Sequence, residues 1–104
     1  HISWLPTQLV ADDRTAALSL AEYRLLDMLL RARGEWVPRE ALCAAAGIEH
    51  QGRALDMQIS RLRRKIHLVT GHWKRPPQLV AQRNFGYSLG LHPLHVPYHR
   101  PVDK

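Results

Sequence analysis

Basic side chains are concentrated in one contiguous region of this 104-residue sequence. Residues 53–83 contain eight Lys or Arg and one acid, Asp56, an excess of +7, whereas the remaining residues contain seven basic and eight acidic groups. Guanidinium and ammonium groups bind phosphate oxygens, and arginine can also fork onto the O6 and N7 acceptors of guanine. The distribution predicts a surface that meets a polyanion on one side of the molecule. A solvated basic face is the alternative.

Helical periodicity within this region favours the first interpretation. An apolar set recurs at intervals of four, three and four: Leu55, Ile59, Leu62 and Ile66. It forms a narrow seam along one side of a helix. The opposite face has a different composition: Arg53, Met57, Ser60, Arg61 and Arg64. A helix held by aliphatic residues on one side, with arginines and a thioether on the other, suits reading of base edges in the DNA major groove.

Other residues that could do chemistry lack a supporting pattern. Cys43 lies among alanines, and no sequence feature supplies the base that a catalytic thiol needs, so we interpret it as a small buried residue. The tail histidines His92, His95 and His99 are of metal-ligand type, but prolines between them break any helix that would align them. We therefore predict no enzymatic activity, no metal site and no cofactor.

Local signals mark the elements that must position the basic helix. Ser19 and Glu22 have the spacing of a capping box that begins a helix. Gly34 is a plausible left-handed end of that helix, Pro38 fits the first turn of the next, and Gly47 ends it. The predicted elements are N-terminal antiparallel strands over 2–18, helices over 20–33, 38–46 and 53–67, and a hairpin over 78–89.

The predicted hairpin directly follows the basic helix. Its strands are joined by residues 83–86, in which Asn84 and Gly86 can supply positive φ. Three helices followed by such a wing predict an α+β winged helix-turn-helix domain over residues 1–90. Residues 91–104 lack apolar periodicity and are predicted to form an extended or disordered tail.

Composition limits the setting of this domain. No apolar run approaches the length that crosses a bilayer, and a lone cysteine fits a reducing compartment, so we expect a soluble cytoplasmic protein. The sequence begins with His1 rather than methionine, which suggests a piece of a larger protein. No apolar face is left over for a strong dimer, and we expect a monomer in isolation.

Four ordered segments resemble a known family. They are Ser19-x-x-Glu22-Tyr23-x-Leu25-Leu26, Val37-Pro38-Arg39-Glu40-x-Leu42, Arg53-x-x-Asp56-x-x-Ile59 continuing to Ile66, and Val80-x-x-Arg83-x-x-Gly86-Tyr87-x-Leu89. Over roughly residues 15–89 the sequence resembles the C-terminal effector domain of OmpR/PhoB-type response regulators. The resemblance implies a four-stranded N-terminal sheet, three helices and a C-terminal hairpin. It implies a transcription regulator that pairs on tandem half-sites of double-stranded DNA, with RNA polymerase and an N-terminal receiver domain as further partners.

The resemblance also implies roles for individual side chains. Met57 and Arg61 align with positions that face bases in the major groove, and Arg83 with a wing arginine that enters the minor groove. Positions near phosphates align with Arg53, Gln58, Ser60 and Arg63. By charge alone, Arg64, Lys74 and Arg75 are further phosphate candidates, although the last two are equally plausible as solubilising loop residues. We expect Asp56 to orient an arginine, with Arg53 as the candidate.

The sequence departs from the family pattern at three places, and two other functions fit it. Pro38 replaces the usual capping Ser or Thr, Asn84 replaces the usual wing glycine, and the loop over 48–52 is short for one that often touches RNA polymerase. The basic helix could instead grip an acidic protein partner. An RNA-binding accessory domain is the third alternative, but the narrow major groove of A-form RNA excludes a helix.

Overall fold

An antiparallel meander precedes the first helix. The computed structural model describes residues 2–5, 7–49, 52–90 and 98–99. Its first strands, β1 (Ile2–Leu5), β2 (Gln8–Ala11) and β3 (Arg14–Ala17), pair in sequence order. Asp12 lies in the β2–β3 turn with a φ of 56°, a left-handed conformation that aspartate tolerates better than most residues. The predicted N-terminal antiparallel strands are therefore confirmed.

The first helix, α1 (Leu20–Arg31), begins with the predicted capping box. Ser19 Oγ accepts a hydrogen bond from the Glu22 amide at 3.1 Å, and Glu22 Oε1 accepts one from the Ser19 amide at 2.8 Å. Two amides that a helix start leaves unpaired are thereby satisfied. The helix ends before the predicted residue 33, and Arg33 and Gly34 then take positive φ values of 52° and 89°.

Pro38 lies just before the second helix rather than inside it. It belongs to β4 (Val37–Pro38), and α2 (Arg39–Ala46) begins at the next residue. The prediction that Pro38 occupies the first turn is wrong, because pairing of Pro38 with Gly86 in the hairpin selects an extended backbone, with a ψ of 150°. The ring fixes only φ, which suits a strand as well as a helix. Gly47 ends α2 with a φ of 70°, as predicted.

The basic region forms the long helix α3 (Ala54–Thr70). The predicted apolar seam is confirmed, since all its members are buried: Leu55, Ile59, Leu62 and Ile66. The helix continues past the predicted residue 67 because Val69 and Thr70 prolong the buried side. Thr70 Oγ1 donates to the carbonyl of Ile66 at 2.7 Å, which satisfies a polar group inside the core.

The predicted wing consists of β5 (Gln78–Gln82) and β6 (Gly86–Gly90). Asn84 at its tip has a φ of 64°, which confirms the left-handed conformation expected there. Gly86 does not take positive φ, so that prediction is wrong. Glycine is required at this position for close approach, because an added Cβ would lie 1.9 Å from the Val37 carbonyl oxygen. β6 also pairs with β4, which gives the sheet order β4-β6-β5.

The first sheet gains a strand from the far end of the chain. β7 (Tyr98–His99) runs parallel to β1, with Ile2 opposite Tyr98, and completes the order β3-β2-β1-β7. The resemblance implied four N-terminal strands; in the part of the chain that the structure describes, the fourth comes from the tail instead. The tail prediction for residues 91–97 and 100–104 falls outside the described residues.

One hydrophobic core joins the N-terminal sheet, the helices and the wing. α3 packs against α1, β2 and β3. Two indole hydrogen bonds stabilise this arrangement. Trp4 donates to Asp27 at 2.9 Å and connects β1 to α1. Trp73 donates to Asp12 at 2.7 Å and connects the loop after α3 to the β2–β3 turn. Among the described residues, no helix combines the length and apolarity needed to cross a membrane.

Candidate nucleic-acid interface

The side of α3 opposite its buried seam is open to solvent. Met57 is 54% exposed. We call this surface the free face; its members are exposed, as predicted: Arg53, Met57, Ser60, Arg61 and Arg64. Within the described ranges, no acceptor pairs with the guanidinium of Arg53, Arg61 or Arg64. These groups are therefore available to an external partner.

The carboxylate of Asp56 joins three elements at one edge of α3. Arg39, at the start of α2, donates to both Asp56 oxygens, at 2.7 and 3.2 Å, and the Tyr87 hydroxyl on β6 donates to the same carboxylate. The Arg39 hydrogen bond lowers the pKa of Asp56, and burial raises the pKa of Tyr87. Asp56 does orient an arginine, but its hydrogen-bond partner is Arg39, and the assignment to Arg53 is wrong. Arg39 comes from another helix, which local spacing could not indicate.

Arg63 is directed toward the wing. Its Nε and Nη2 atoms both donate to the carbonyl of Leu79 on β5, at 3.2 and 3.0 Å. From the sequence, Arg63 is predicted only as a phosphate contact, and this hydrogen bond to β5 is not predicted. The side chain links the recognition helix to the hairpin, and Nη1 remains to donate elsewhere.

Lys65 is bonded to a buried acid on α1. Its Nζ lies 2.6 Å from Glu22 Oε1, and the Glu22 side chain is only 3% exposed. Burial by itself would raise the pKa of the Glu22 carboxyl, but hydrogen bonds from Lys65 and from the Ser19 amide outweigh it, and the pKa lies below its usual range. The capping-box glutamate thus also fixes α3 against α1. The cap is predicted from the sequence, whereas the contact with Lys65 is not.

The wing tip faces the start of α3 across a groove of about 420 Å³. The polar residues that line this groove are Arg39, Asp56, Gln82, Arg83, Asn84 and Tyr87. Arg83 is exposed and has no partner among the described residues. Phe85, two residues after Arg83, is 42% exposed and adds an apolar side chain at the wing tip that was not among the predicted site residues.

The remaining phosphate candidates lie away from the centre of the free face. Gln58 is half-buried on α3, whereas Lys74 and Arg75 are exposed in the loop between α3 and β5. The described residues contain no cluster of His, Cys, Asp or Glu that could hold a metal ion. His92 and His95 lie outside those residues, and only the backbone of His99 is described. Cys43 is buried, and burial raises the pKa of its thiol, which disfavours the reactive thiolate.

Comparison with known proteins decides the family. Residues 13–89 match the family described as "Transcriptional regulatory protein, C terminal". The chain belongs to this family. It is a DNA-binding effector domain of the OmpR/PhoB type, as the four segments predicted, and the family is one of transcription regulators rather than enzymes.

A curated family member gives the relation in sequence. The chain is 35% identical over 86 residues to the alkaline phosphatase synthesis transcriptional regulatory protein SphR of Synechococcus elongatus. The match covers 80% of this chain and 32% of SphR. The chain thus spans about a third of the length of this relative.

Solved structures of similar fold give the relation in three dimensions. The RstA DNA-binding domain of Klebsiella pneumoniae, solved in complex with the RstA box, has a TM-score of 0.64 and 28% identity, with 82% of this chain and 84% of that chain covered. The DNA-binding domain of Escherichia coli CadC has a TM-score of 0.68 at 19% identity, with 83% and 80% covered. Both confirm the winged-helix fold.

Proposed function

We propose that this domain binds specific sequences of double-stranded DNA with α3 in the major groove and the β5–β6 hairpin against the adjacent minor groove. The free face of α3 carries the proposal, because its cations have no hydrogen-bond or ion-pair partner within the described residues while the opposite side of the helix is buried. A helix of 17 residues is about 25 Å long, and the major groove, at about 12 Å wide, admits it. The RstA domain, which shares the fold, was solved on DNA.

In this proposal, Met57 and Arg61 contact base edges. They lie one helical turn apart on the free face, so both can reach neighbouring base pairs. The Arg61 guanidinium suits guanine, and the Met57 thioether suits a thymine methyl. Their exposure, together with the absence of a described partner for Arg61, supports these roles.

Further basic and polar residues of α3 and the loop after it contact phosphate, and the wing arginine has a separate role. We assign phosphates to Arg53, Gln58, Ser60, Arg63, Arg64, Lys74 and Arg75. Arg63 would contact phosphate through Nη1, because its Nε and Nη2 already donate to the Leu79 carbonyl. Arg83 would enter the minor groove from the wing tip, where a cation is attracted by the negative potential of narrow A·T-rich segments.

The chain's relation to SphR extends the proposal to a larger protein. Because the chain spans about a third of SphR, we propose that it is the effector part of a cytoplasmic regulator that also carries a receiver domain. Two copies would pair on tandem half-sites. A contact with RNA polymerase is also proposed, without assigning it to the short loop over 48–52.

A binding assay tests this function against its alternatives. We expect selection from a random duplex library to yield a preferred sequence, bound with a log K against log salt slope of about −4 to −5 for roughly five phosphate contacts. Arg53→Ala should weaken binding to cognate and random duplex alike and flatten the slope by about one unit. The matched control is Arg24→Ala, an exposed arginine on α1, which should change neither. Capture of an acidic protein without any duplex binding, or preference for duplex RNA, would contradict the proposal.

A further inference from the structure

A second cleft lies between the C-terminal half of α3 and the base of the wing. Its volume is about 390 Å³. Polar side chains line its helical wall: Ser60, Arg63, Arg64 and His67. Pro76 and Pro77 of the following loop and Gln78 and Leu79 of β5 form the opposite wall. The cleft therefore has its cationic and imidazole side chains on one side and uncharged residues on the other.

The helical wall is a continuous stripe. Ser60, Arg63, Arg64 and His67 are spaced i, i+3, i+4 and i+7, which places them on adjoining turns of one side of α3. Arg63 is held against the carbonyl of Leu79 through Nε and Nη2, so its charge is fixed at the wall of the cleft. Ser60, Arg64 and His67 are exposed, and none of them has a hydrogen-bond or ion-pair partner in the described part of the chain.

The position of the cleft indicates what would occupy it. One sugar-phosphate strand separates the major groove from the adjacent minor groove of a duplex. If α3 lies in the first and the wing in the second, as the proposed function has it, that strand passes over the seam between α3 and β5, where this cleft opens. A phosphodiester is an anion with hydrogen-bond acceptors only, which matches a wall of guanidinium, hydroxyl and imidazole donors.

We propose that the cleft binds a backbone phosphate of the DNA and that His67 is a further phosphate-binding residue, one that makes DNA affinity depend on pH. Histidine is the side chain whose charge changes in the physiological range. The charged groups that face it from α3 are Arg63 and Arg64, whereas the 71–77 loop and β5 contribute only prolines, a glutamine and a leucine to the cleft. Among the described residues, no carboxylate lines the cleft, so a DNA phosphate would be the anion that faces His67.

The sign of the effect follows from the charge. Protonation adds a cation that faces the phosphate, so affinity should rise as the pH falls from 8 to 6. One added charge-assisted contact at an exposed interface corresponds to a gain of roughly three- to tenfold. It should also release about one more counterion, which steepens the salt slope by about 0.9.

Fluorescence anisotropy with a fixed duplex at pH 6.0 and pH 8.0, at constant ionic strength, tests the inference. The wild-type chain should bind more tightly at pH 6.0, with the steeper salt slope. His67→Gln should bind with nearly equal affinity at both pH values, and His67→Lys should bind tightly at both. His72→Gln is the matched control: His72 contacts Asp12 in the β2–β3 turn at 3.3 Å, and its loss should leave the pH dependence intact.

The outcomes separate this inference from the function on which it rests. Equal wild-type affinity at the two pH values, or a pH dependence that persists in His67→Gln, would overturn the role of His67 and leave DNA binding standing. Absence of duplex binding at both pH values would overturn the proposed function and this inference with it. Circular dichroism at each pH checks the fold of every variant.

Discussion

Two sets of charged side chains on α3 have opposite surroundings. On the free face, Arg53, Arg61 and Arg64 have no hydrogen-bond or ion-pair partner among the described residues. On the flanks, the neighbouring charged groups form hydrogen bonds within the molecule. Asp56 accepts from Arg39, Arg63 donates to the Leu79 carbonyl, and Lys65 donates to Glu22. The number of basic residues in a stretch of sequence therefore does not give the number of DNA contacts. In this helix the flanking charges fix its orientation, and the free charges can bind.

The ion pair between buried Glu22 and half-buried Lys65 should show the largest effect on stability. Lys65→Met leaves the Glu22 carboxylate buried with only the Ser19 amide, and we expect the free energy of unfolding to fall by about 2–3 kcal/mol. Arg64→Met, one residue away on the free face, is the control and should change it by less than about 0.5 kcal/mol. Urea denaturation at pH 7 measures both. Equal effects of the two substitutions would show that flank and free face do not differ.

The cluster around Asp56 should have a smaller effect that depends on pH. Asp56→Asn weakens the contacts with Arg39 and Tyr87, and we expect a loss of about 1–2 kcal/mol at pH 7. The folded state lowers the pKa of Asp56, so its contribution is complete above the ordinary pKa of an aspartate and disappears as the pH falls through the lowered value.

Urea unfolding of the wild type and Asp56→Asn from pH 7 to pH 2 tests this dependence. The stabilities of the two proteins should converge at the acid end of the range. A constant difference between the two curves would mean that the charge of Asp56 contributes nothing.

Local features of the fold followed from the sequence because they depend on neighbours along the chain. The capping box at Ser19 and Glu22, the apolar seam of α3 and the left-handed Asn84 each involve residues within one or two turns, where propensity and periodicity apply. They sufficed to predict the winged helix and the free face.

Features set by packing between elements were missed. Tyr87 lies 31 residues from Asp56, and Lys65 lies 43 residues from Glu22, so no local period relates them. The same reason explains two wrong predictions. Pro38 was expected inside α2, but its pairing with the hairpin makes it extended. Gly86 was expected to have a positive φ, but glycine is needed there because the Val37 carbonyl lies close by. The strand β7 likewise depends on a contact between the two ends of the chain.

The comparison of Arg61 with Arg63 tests the central claim most directly, because the two arginines differ in surroundings and are only two residues apart. The measurement is the ratio of dissociation constants on random and selected duplex for Arg61→Ala and Arg63→Ala. We predict that Arg61→Ala lowers discrimination by roughly 1–3 kcal/mol with stability unchanged, whereas Arg63→Ala weakens binding to both duplexes alike and lowers the free energy of unfolding by about 1 kcal/mol. Equal loss on both duplexes for Arg61→Ala would contradict sequence reading by the free face of α3.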